Sequence, residues 1–404
     1  MVPELRRAYN AAFTEGRYRA MLDWLEEQAG FPIPFRICET PLFLSQPLTA
    51  ELHRAAREML SAVTSAAYLR AAEKAIPPGF AVPGEDAHTT FLQVDFALVE
   101  EAGGGLSPRL IELQGFPSLY GFQWLLERAF HRHFELPADL TPYFGGLTTE
   151  SYTACLRAVI VGDADPENVV LLEIDPERQK TRVDFTVIEQ LLGVRAVSAT
   201  EVIVRGERLF YRDNRRGRRG REVPIRRIYN RVIFDELERR QVNLDHLFRR
   251  PLDVTWVGHP NWFWKISKFS LPFIHSRYAP ESHFLADLEE LPPDLDNYVL
   301  KPLFSFAGLG VEVGVTAERL RAIERPEDYI LQRRVDYAPV IATPDDPAKA
   351  EVRMMFLWRD RPRLVNSLVR TTKGKMVGVD FNKDRTWVGA SIALHPPEPA
   401  PEIS

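Results

Sequence analysis

The chain has 404 residues, of which 45% are hydrophobic and 26% are charged, and its formal net charge is −5. This length is more than one hydrophobic core usually holds, so it predicts two or three subdomains. The acidic balance argues against general binding to nucleic acid or to anionic membranes. Two cysteines, Cys38 and Cys155, are too few for a disulfide framework or a four-cysteine metal site.

The sequence shows neither a secretion signal nor a membrane span. The amino-terminal stretch contains acidic residues and lacks the apolar core of a signal peptide. The strongest apolar runs, such as Val169–Leu172, have the length of strands. We therefore expect a cytoplasmic protein with reduced cysteines and no membrane partner, and the sequence leaves a homo-oligomer open.

In the first third of the chain, apolar residues recur first at helical spacing and then at strand spacing. Helices are predicted for residues 2–29, 49–74 and 120–133. Strands are predicted for residues 91–98 and 109–113, with a glycine turn at residues 103–105 between them. Thr49 is the predicted N-cap of the second helix.

A strand–helix–strand rhythm follows from Ser151 onward. It consists of a strand at 168–174, a helix at 184–192 ended by Gly193, and a strand at 194–197. The first of these strands is a continuous apolar run, which is typical of a buried parallel sheet. The segment therefore predicts a βαβ layer.

Tyr211–Arg227 is rich in arginine and contains Gly217 and Gly220. We interpret it as a solvated loop or a lid that attracts an anionic substrate. RNA binding is the weaker interpretation, because no aromatic residues are interleaved with the arginines and the whole chain is acidic.

The most informative stretch is Asn297–Val315. A short β-rich run delivers Lys301, and a loop of small residues follows before a second β-rich run begins. The small residues of the loop allow backbone N–H groups to approach an anion, and the lysine adds a mobile positive charge. The alternative is an ordinary hairpin with a solvated lysine. Further strands are predicted at 329–332, 351–357 and 364–369, and a disordered tail at 396–404.

Two carboxylates lie on the strands of the predicted hairpin. Glu112 and Gln114 are two residues apart and project from the same face, and Asp95 can face them from the paired strand. Mg²⁺ prefers oxygen ligands of this kind. The alternative is that both acids face solvent, but apolar residues flank each of them. A carboxylate among buried neighbours needs a cation or hydrogen-bond donors.

Asp380 and Asn382 form a rival metal pair late in the chain. We rank this pair second, because no Glu-x-Asn partner follows it before the proline-rich tail.

Six segments, taken in order, resemble a known family. They are VDFALVEE, LIELQGFPSLYGFQ, IYNR, KFSLP, YVLKPLFSFAGLGV and YILQRRV. Their order is similar to that of the circularly permuted ATP-grasp ligases of the glutathionylspermidine synthase and eukaryotic-type glutathione synthetase group. The resemblance covers most of residues 90–375.

The resemblance implies an α/β (α+β) ATP-grasp fold, circularly permuted, with a helical amino-terminal layer and an inserted βαβ substrate domain. It implies the following division. Residues 1–148 hold the helices and metal strands, 149–255 the substrate domain, 256–395 the nucleotide lysines, glycine loop and late strands, and 396–404 a tail.

The resemblance also implies roles for individual residues. The metal ligands are Asp95, Glu112 and Gln114, where Gln114 replaces the usual asparagine. The nucleotide-binding residues are Lys268, Lys301, Ser305, Ala307, Gly308, Gly310 and Gln332. The catalytic candidates are Arg231, which matches a substrate-domain arginine, and Arg353 and Arg370 on the late strands. Gln93 stands where the synthases have an arginine, and surface positions remain the alternative for Arg353 and Arg370.

The implied activity is ATP-dependent ligation of a small-molecule carboxylate to an amine through an acyl phosphate, with ATP and Mg²⁺ as cofactors. The alternative is a catalytically degenerate ATP-grasp protein that binds nucleotide without turnover, which Gln93 and Gln114 favour. The sequence does not identify the substrates.

Overall fold

The computed structural model describes residues 1–215, 217, 220–305, 308–374, 382 and 384–397, and within them the chain is a mixed α+β protein. The helices are α1 (Pro3–Ala12), α2 (Glu15–Ala29), α3 (Gln46–Thr64), α4 (Ala66–Ala72), α5 (Tyr120–His133), α6 (Thr149–Ile160), α7 (Arg182–Leu192), α8 (Phe234–Arg239), α9 (Asp245–Phe248), α10 (Asn261–Lys265) and α11 (Ala317–Arg321). None of the helices in this part of the chain is long and apolar enough to cross a membrane.

The strands form several separate sheets. They are β1 (Leu42–Phe43), β2 (Phe91–Glu100), β3 (Leu106–Gln114), β4 (Val169–Glu173), β5 (Arg195–Ser198), β6 (Ile203–Arg205), β7 (Arg208–Asp213), β8 (Arg221–Ile225), β9 (Arg227–Asn230), β10 (Thr255–Val257), β11 (Ser282–Phe284), β12 (Tyr298–Pro302), β13 (Glu312–Val313), β14 (Tyr329–Arg333), β15 (Lys349–Trp358), β16 (Pro362–Thr372), β17 (Gly389–Ser391) and β18 (Ala393–Leu394).

The two amino-terminal helical predictions each correspond to two helices. Thr14 and Ser65 interrupt them, because each side chain accepts a hydrogen bond from a backbone N–H of the helix that follows. The prediction that Thr49 is an N-cap was wrong. Helix α3 begins earlier, at Gln46, and has Pro47 in its first turn, where a missing N–H is tolerated.

The centre of the fold is an antiparallel sheet with the strand order β17-β16-β15-β2-β3. The predicted hairpin is confirmed, since β2 pairs with β3 and Asp95 lies opposite Glu112. Strand β15 pairs with the other side of β2 and places Arg353 opposite Asp95. Every residue of β2 except Glu100 is buried. A charged group on this strand must therefore find its partner inside the protein.

The predicted βαβ layer is also present. Strands β10, β9, β4 and β5 form a parallel sheet in that order, and α7 connects β4 to β5. Helix α7 ends at Gly193, whose φ of 75° is the left-handed conformation that glycine adopts without strain. All residues of β4 are buried, as its continuous apolar run predicted.

The arginine-rich segment is more ordered than a loop. Most of it forms β7, β8 and β9, and β6, β7 and β8 pair as a separate antiparallel sheet. Several of its charges are paired within the fold: Asp213 accepts hydrogen bonds from Arg195 and Arg215, and Arg221 forms an ion pair with Glu167. Residues 216, 218 and 219 lie outside the described residues.

Gly115 fixes the distance between the end of β3 and α10. Its N–H donates to the Ile266 carbonyl at 2.8 Å. A Cβ at this position would lie 2.5 Å from the Trp262 carbonyl oxygen and 2.9 Å from the Ile266 Cβ. Since those neighbours are backbone and a β-branched side chain, they cannot simply rotate away.

Gly115→Ala is therefore expected to lower the free energy of unfolding by about 1–3 kcal/mol through overpacking. Urea denaturation followed by tryptophan fluorescence measures this change. Gly103→Ala is the matched control on the same hairpin, because a Cβ added there would have no atom within 4 Å. A loss for Gly115→Ala no larger than that for Gly103→Ala would contradict the close contact.

Candidate functional site

A cluster of charged side chains lies where the central antiparallel sheet meets a second antiparallel sheet, with the order β11-β14-β12-β13. Lys301 at the end of β12 donates to the Ile111 carbonyl of β3 at 3.0 Å. Lys268, in the short 3-10 helix Lys268–Phe273, lies 3.4 Å from Glu112. The carboxylates of the first hairpin and the late lysines are therefore neighbours in space.

Asp95 is the centre of the cluster and is only 1% exposed. Its two oxygens accept from Arg353 Nε at 2.6 Å and Arg353 Nη2 at 2.7 Å. Arg370 Nη2 donates to it as well, at 2.7 Å. Arg353 also donates to the Gln93 side-chain oxygen at 3.0 Å. This bidentate arrangement is the strong form of the arginine–carboxylate pair.

Arg370 connects Asp95 to a third acid, Glu351, with which it forms an ion pair. Glu351 in turn accepts from the Tyr337 hydroxyl at 2.6 Å. Burial raises the pKa of Glu351, although Arg370 opposes the rise. Burial by itself would lower the pKa of Arg370, but Glu351 and Asp95 outweigh it and hold that pKa above its ordinary value.

Glu112 is held by Gln114 and Lys268. The Gln114 amide donates to it at 2.6 Å, and Lys268 also donates to the Ser305 carbonyl at 2.5 Å. Burial would raise the pKa of the Glu112 carboxyl, but the cations, with Lys268 foremost, lower it to about 2. Glu112 is therefore a carboxylate at neutral pH.

Lys301 is 7% exposed and donates to the Gln332 side-chain oxygen at 2.5 Å. Burial lowers its pKa to about 8, while Glu112 limits the fall and Lys268 adds to it. A lysine that is buried beside a second lysine carries a charge that an anion would stabilise.

Several buried donors around the cluster lack partners. Within the described part of the chain, no hydrogen bond is made by Arg370 Nε, Gln332 Nε2 or Ser305 Oγ. Buried polar groups are rarely left in this state, so the site has the hydrogen-bonding capacity for a ligand rich in acceptors. The triphosphate of ATP is rich in acceptors of this kind.

Mg²⁺ fits the cluster less well. Asp95, Glu112 and Gln114 do lie together on paired strands, but both oxygens of Asp95 are occupied by guanidinium groups. No group of three or more His, Cys, Asp or Glu side chains that could hold a metal ion occurs among the residues described. As a three-ligand magnesium site the arrangement does not fit.

The remaining predicted residues are placed differently. Arg231 lies outside this cluster, at the end of β9, with its guanidinium 4.8 Å from the Phe116 ring centre. Gly308 and Gly310 follow β12 and have φ values of 74° and 71°, the left-handed region. Ala307 and Asp380 lie outside the described residues. Asn382 accepts from the Thr372 hydroxyl at 3.0 Å.

Glu351 and Tyr337 were missed by the sequence analysis. Glu351 precedes Arg353 by two positions on one strand, so it shares a face with that arginine, and this spacing was a usable signal. Tyr337 has no such signal, because it lies in an irregular segment after β14.

Two cavities differ in character. A small one of about 20 Å³, room for about one water molecule, lies between Glu112, Lys268 and Ser305 and is walled by Phe263 and Phe304. A larger one of about 280 Å³ lies beside α8 and α9, and its lining is mostly apolar. We place the candidate site at the small cavity, because Glu112 and Lys268 of the charged cluster line it.

No protein-family model matches the chain, and no curated protein sequence matches it significantly. Its structure is similar to that of a glutathione synthetase-like effector from Globodera pallida in its apo form. The TM-score is 0.58, and the match covers 95% of this chain and 96% of that chain at 10% sequence identity. The likeness therefore concerns the fold. It agrees with the glutathione synthetase part of the sequence resemblance and does not extend to the glutathionylspermidine synthases.

Proposed function

We propose that the chain is a circularly permuted ATP-grasp protein that uses ATP to join a carboxylate to an amine. The observation that carries this proposal is the convergence of Lys268, Lys301, Arg353 and Arg370 on one buried spot with unsatisfied donors. The similarity of the fold to a glutathione synthetase-like protein supports it.

In this proposal, Lys268 and Lys301 hold the phosphates of ATP. Gln332 and Ser305 supply further donors, since both have an unpartnered side-chain atom among the residues described. The loop with Ala307, Gly308 and Gly310 covers the phosphates through its backbone N–H groups. Lysine and glycine-rich backbone together are a common way to bind phosphate.

A nucleotide does not fit into the closed cluster, where the free space is about 20 Å³. Binding must therefore separate Ser305 and Phe304 from Glu112. The contacts to be broken include the bond from Lys268 to the Ser305 carbonyl and the packing of the Phe304 ring on Trp264. ATP would replace that bond with one from Lys268 to a phosphate oxygen, in which both partners are charged.

The proposed chemistry is transfer of the terminal phosphoryl group to the substrate carboxylate, followed by displacement of phosphate by an amine. The lysines, Arg353 and Arg370 stabilise the negative charge that develops on the phosphoryl oxygens. No protein ligand for Mg²⁺ is part of this proposal, because Arg353 and Arg370 occupy Asp95, and Gln114 and Lys268 hold Glu112.

A substrate position is suggested by the parallel sheet. After β4 the chain continues to β5 on one side, and β9 then pairs with the other side of β4. Ligands of such sheets bind at the carboxyl ends of the strands where the order diverges. Glu173 ends β4, and Arg231 directly follows β9.

Arg231 has the properties of a carboxylate receptor. It is 4% exposed, lies against the rings of Phe116 and Phe185, and donates to the Thr181 hydroxyl at 3.3 Å. Its Nε and Nη1 atoms make no hydrogen bond within the described part of the chain. Phe116 also lines the small cavity beside Glu112. We propose that Arg231 holds the substrate next to the nucleotide.

The second candidate is a nucleotide-binding protein that has lost turnover. The occupation of Asp95 by two arginines favours it, because that acid is then not free to bind a metal.

Phosphate release from ATP is the test of the proposed function. The full chain is assayed with amino acids, polyamines and short peptides as substrates, and ATP binding is measured in parallel by thermal unfolding. We expect ATP to raise the melting temperature and at least one substrate pair to release phosphate. Stabilisation without phosphate release would support the degenerate alternative, and no stabilisation would refute both.

A further inference from the structure

We propose that this cluster binds the phosphates of ATP without a divalent metal ion. Arg353 and Arg370, fixed on Asp95, take the position that a metal would occupy. The inference rests on the proposed nucleotide site, and it changes what holds the nucleotide there.

The first argument is the occupation of Asp95. Its oxygens accept three guanidinium hydrogen bonds at 2.6–2.7 Å, and the residue is 1% exposed. A metal bound to Asp95 would have to displace Arg353, which is itself 6% exposed. That displacement leaves a buried guanidinium without its carboxylate, a situation that costs several kcal/mol.

The second argument is the charge of the cluster. Among the described residues it contains the carboxylates Asp95, Glu112 and Glu351, and the cations Lys268, Lys301, Arg353 and Arg370. The cations are in excess. Like charges a few ångströms apart repel one another strongly in a buried site, where water screens them poorly. A dication therefore enters a site that already repels it, whereas a polyphosphate is attracted.

The third argument is the kind of atom left unsatisfied. Arg370 Nε and Gln332 Nε2 are donors only, and neither has a partner in the described part of the protein. A phosphate oxygen accepts such bonds, and a metal ion cannot. Gln332 is 2% exposed, so its free amide hydrogen points into the protein interior and not into solvent.

Glu112 does not provide a free ligand for a metal ion either. Its carboxylate already accepts from Gln114 and lies 3.4 Å from Lys268 and 4.0 Å from Arg353. Two arginines thus neutralise Asp95, and Lys268 and Arg353 neutralise Glu112.

Thermal unfolding of the full-length protein tests the inference. The melting temperature is measured with ATP and Mg²⁺, with ATP and EDTA, and with EDTA alone as the control. We expect the shift with ATP and EDTA to equal or exceed the shift with ATP and Mg²⁺, because metal-free ATP carries more negative charge. A shift that requires Mg²⁺ overturns the inference and leaves the nucleotide site intact. No shift in either condition refutes the nucleotide site itself.

Glu112→Gln provides a second readout in EDTA. Removing this negative charge beside Lys268 is expected to tighten metal-free ATP binding severalfold, measured by isothermal titration calorimetry. A metal-dependent site would instead bind no ATP in EDTA, and with Mg²⁺ present it would bind ATP more weakly once Glu112 is neutralised.

Discussion

Asp95→Ala is expected to lower the free energy of unfolding by about 3–5 kcal/mol, the effect of removing one partner of a buried ion pair. Arg353, 6% exposed, loses the acid that accepts two of its hydrogen bonds. Arg370 keeps Glu351, so most of the loss arises at Arg353. Urea denaturation followed by tryptophan fluorescence measures the change.

Glu101→Ala is the matched control for Asp95→Ala. Glu101 follows the same strand and forms an ion pair with Arg109 at 3.2 Å, but the glutamate side chain is 44% exposed. Exposed pairs contribute about 0–1 kcal/mol. If the two substitutions cost the same, Asp95 does not hold the cluster together, and the metal-free site loses its structural basis.

Lys301→Met is expected to weaken ATP binding by about 10- to 100-fold, corresponding to about 1.5–3 kcal/mol for a charge-assisted hydrogen bond. Methionine keeps much of the apolar volume of the side chain but removes the positive charge. The affinity is measured by titration calorimetry, and circular dichroism verifies that the variant is folded.

Two further lysine variants test whether the effect of Lys301→Met on ATP binding comes from the loss of positive charge at this position. Lys74→Met removes an exposed lysine from the same chain and is expected to leave ATP affinity unchanged. Lys301→Arg keeps the charge and is expected to retain more affinity than Lys301→Met. Equal affinity of Lys301→Met and the unmodified protein would place the nucleotide elsewhere.

The local structure was largely predictable from the sequence. The apolar run 168–174 and the periodicity of 184–192 predicted β4 and α7, and both are present. Two strand-like runs joined by the glycine turn at residues 103–105 predicted a hairpin, and the strands pair as expected. These features depend on neighbours within a few residues, which the sequence shows directly.

The arginine-rich segment and the Thr49 cap show the limits of local reasoning. Tyr211–Arg227 was interpreted as a loop because of its charge and glycines, yet most of it pairs as strands. Two of its arginines, Arg215 and Arg221, form ion pairs with Glu167 of an earlier segment. Thr49 has the right residue type for a cap, but α3 extends past it to Gln46. A partner distant in sequence decided the first outcome, whereas the start of α3 at Gln46, with Pro47 in its first turn, decided the second.

By itself, the sequence determined that acids lie on an early hairpin and that lysines and arginines lie on late strands. It also determined that the middle of the chain forms a buried parallel layer. Only the tertiary structure decided that Arg353 lies opposite Asp95, because β15 inserts beside β2 in one particular register. In that register Asp95, a candidate metal ligand, accepts hydrogen bonds from Arg353 and Arg370. Hydrophobic periodicity reports which face of a strand is buried, but the partner on that face is chosen by the packing of the whole chain.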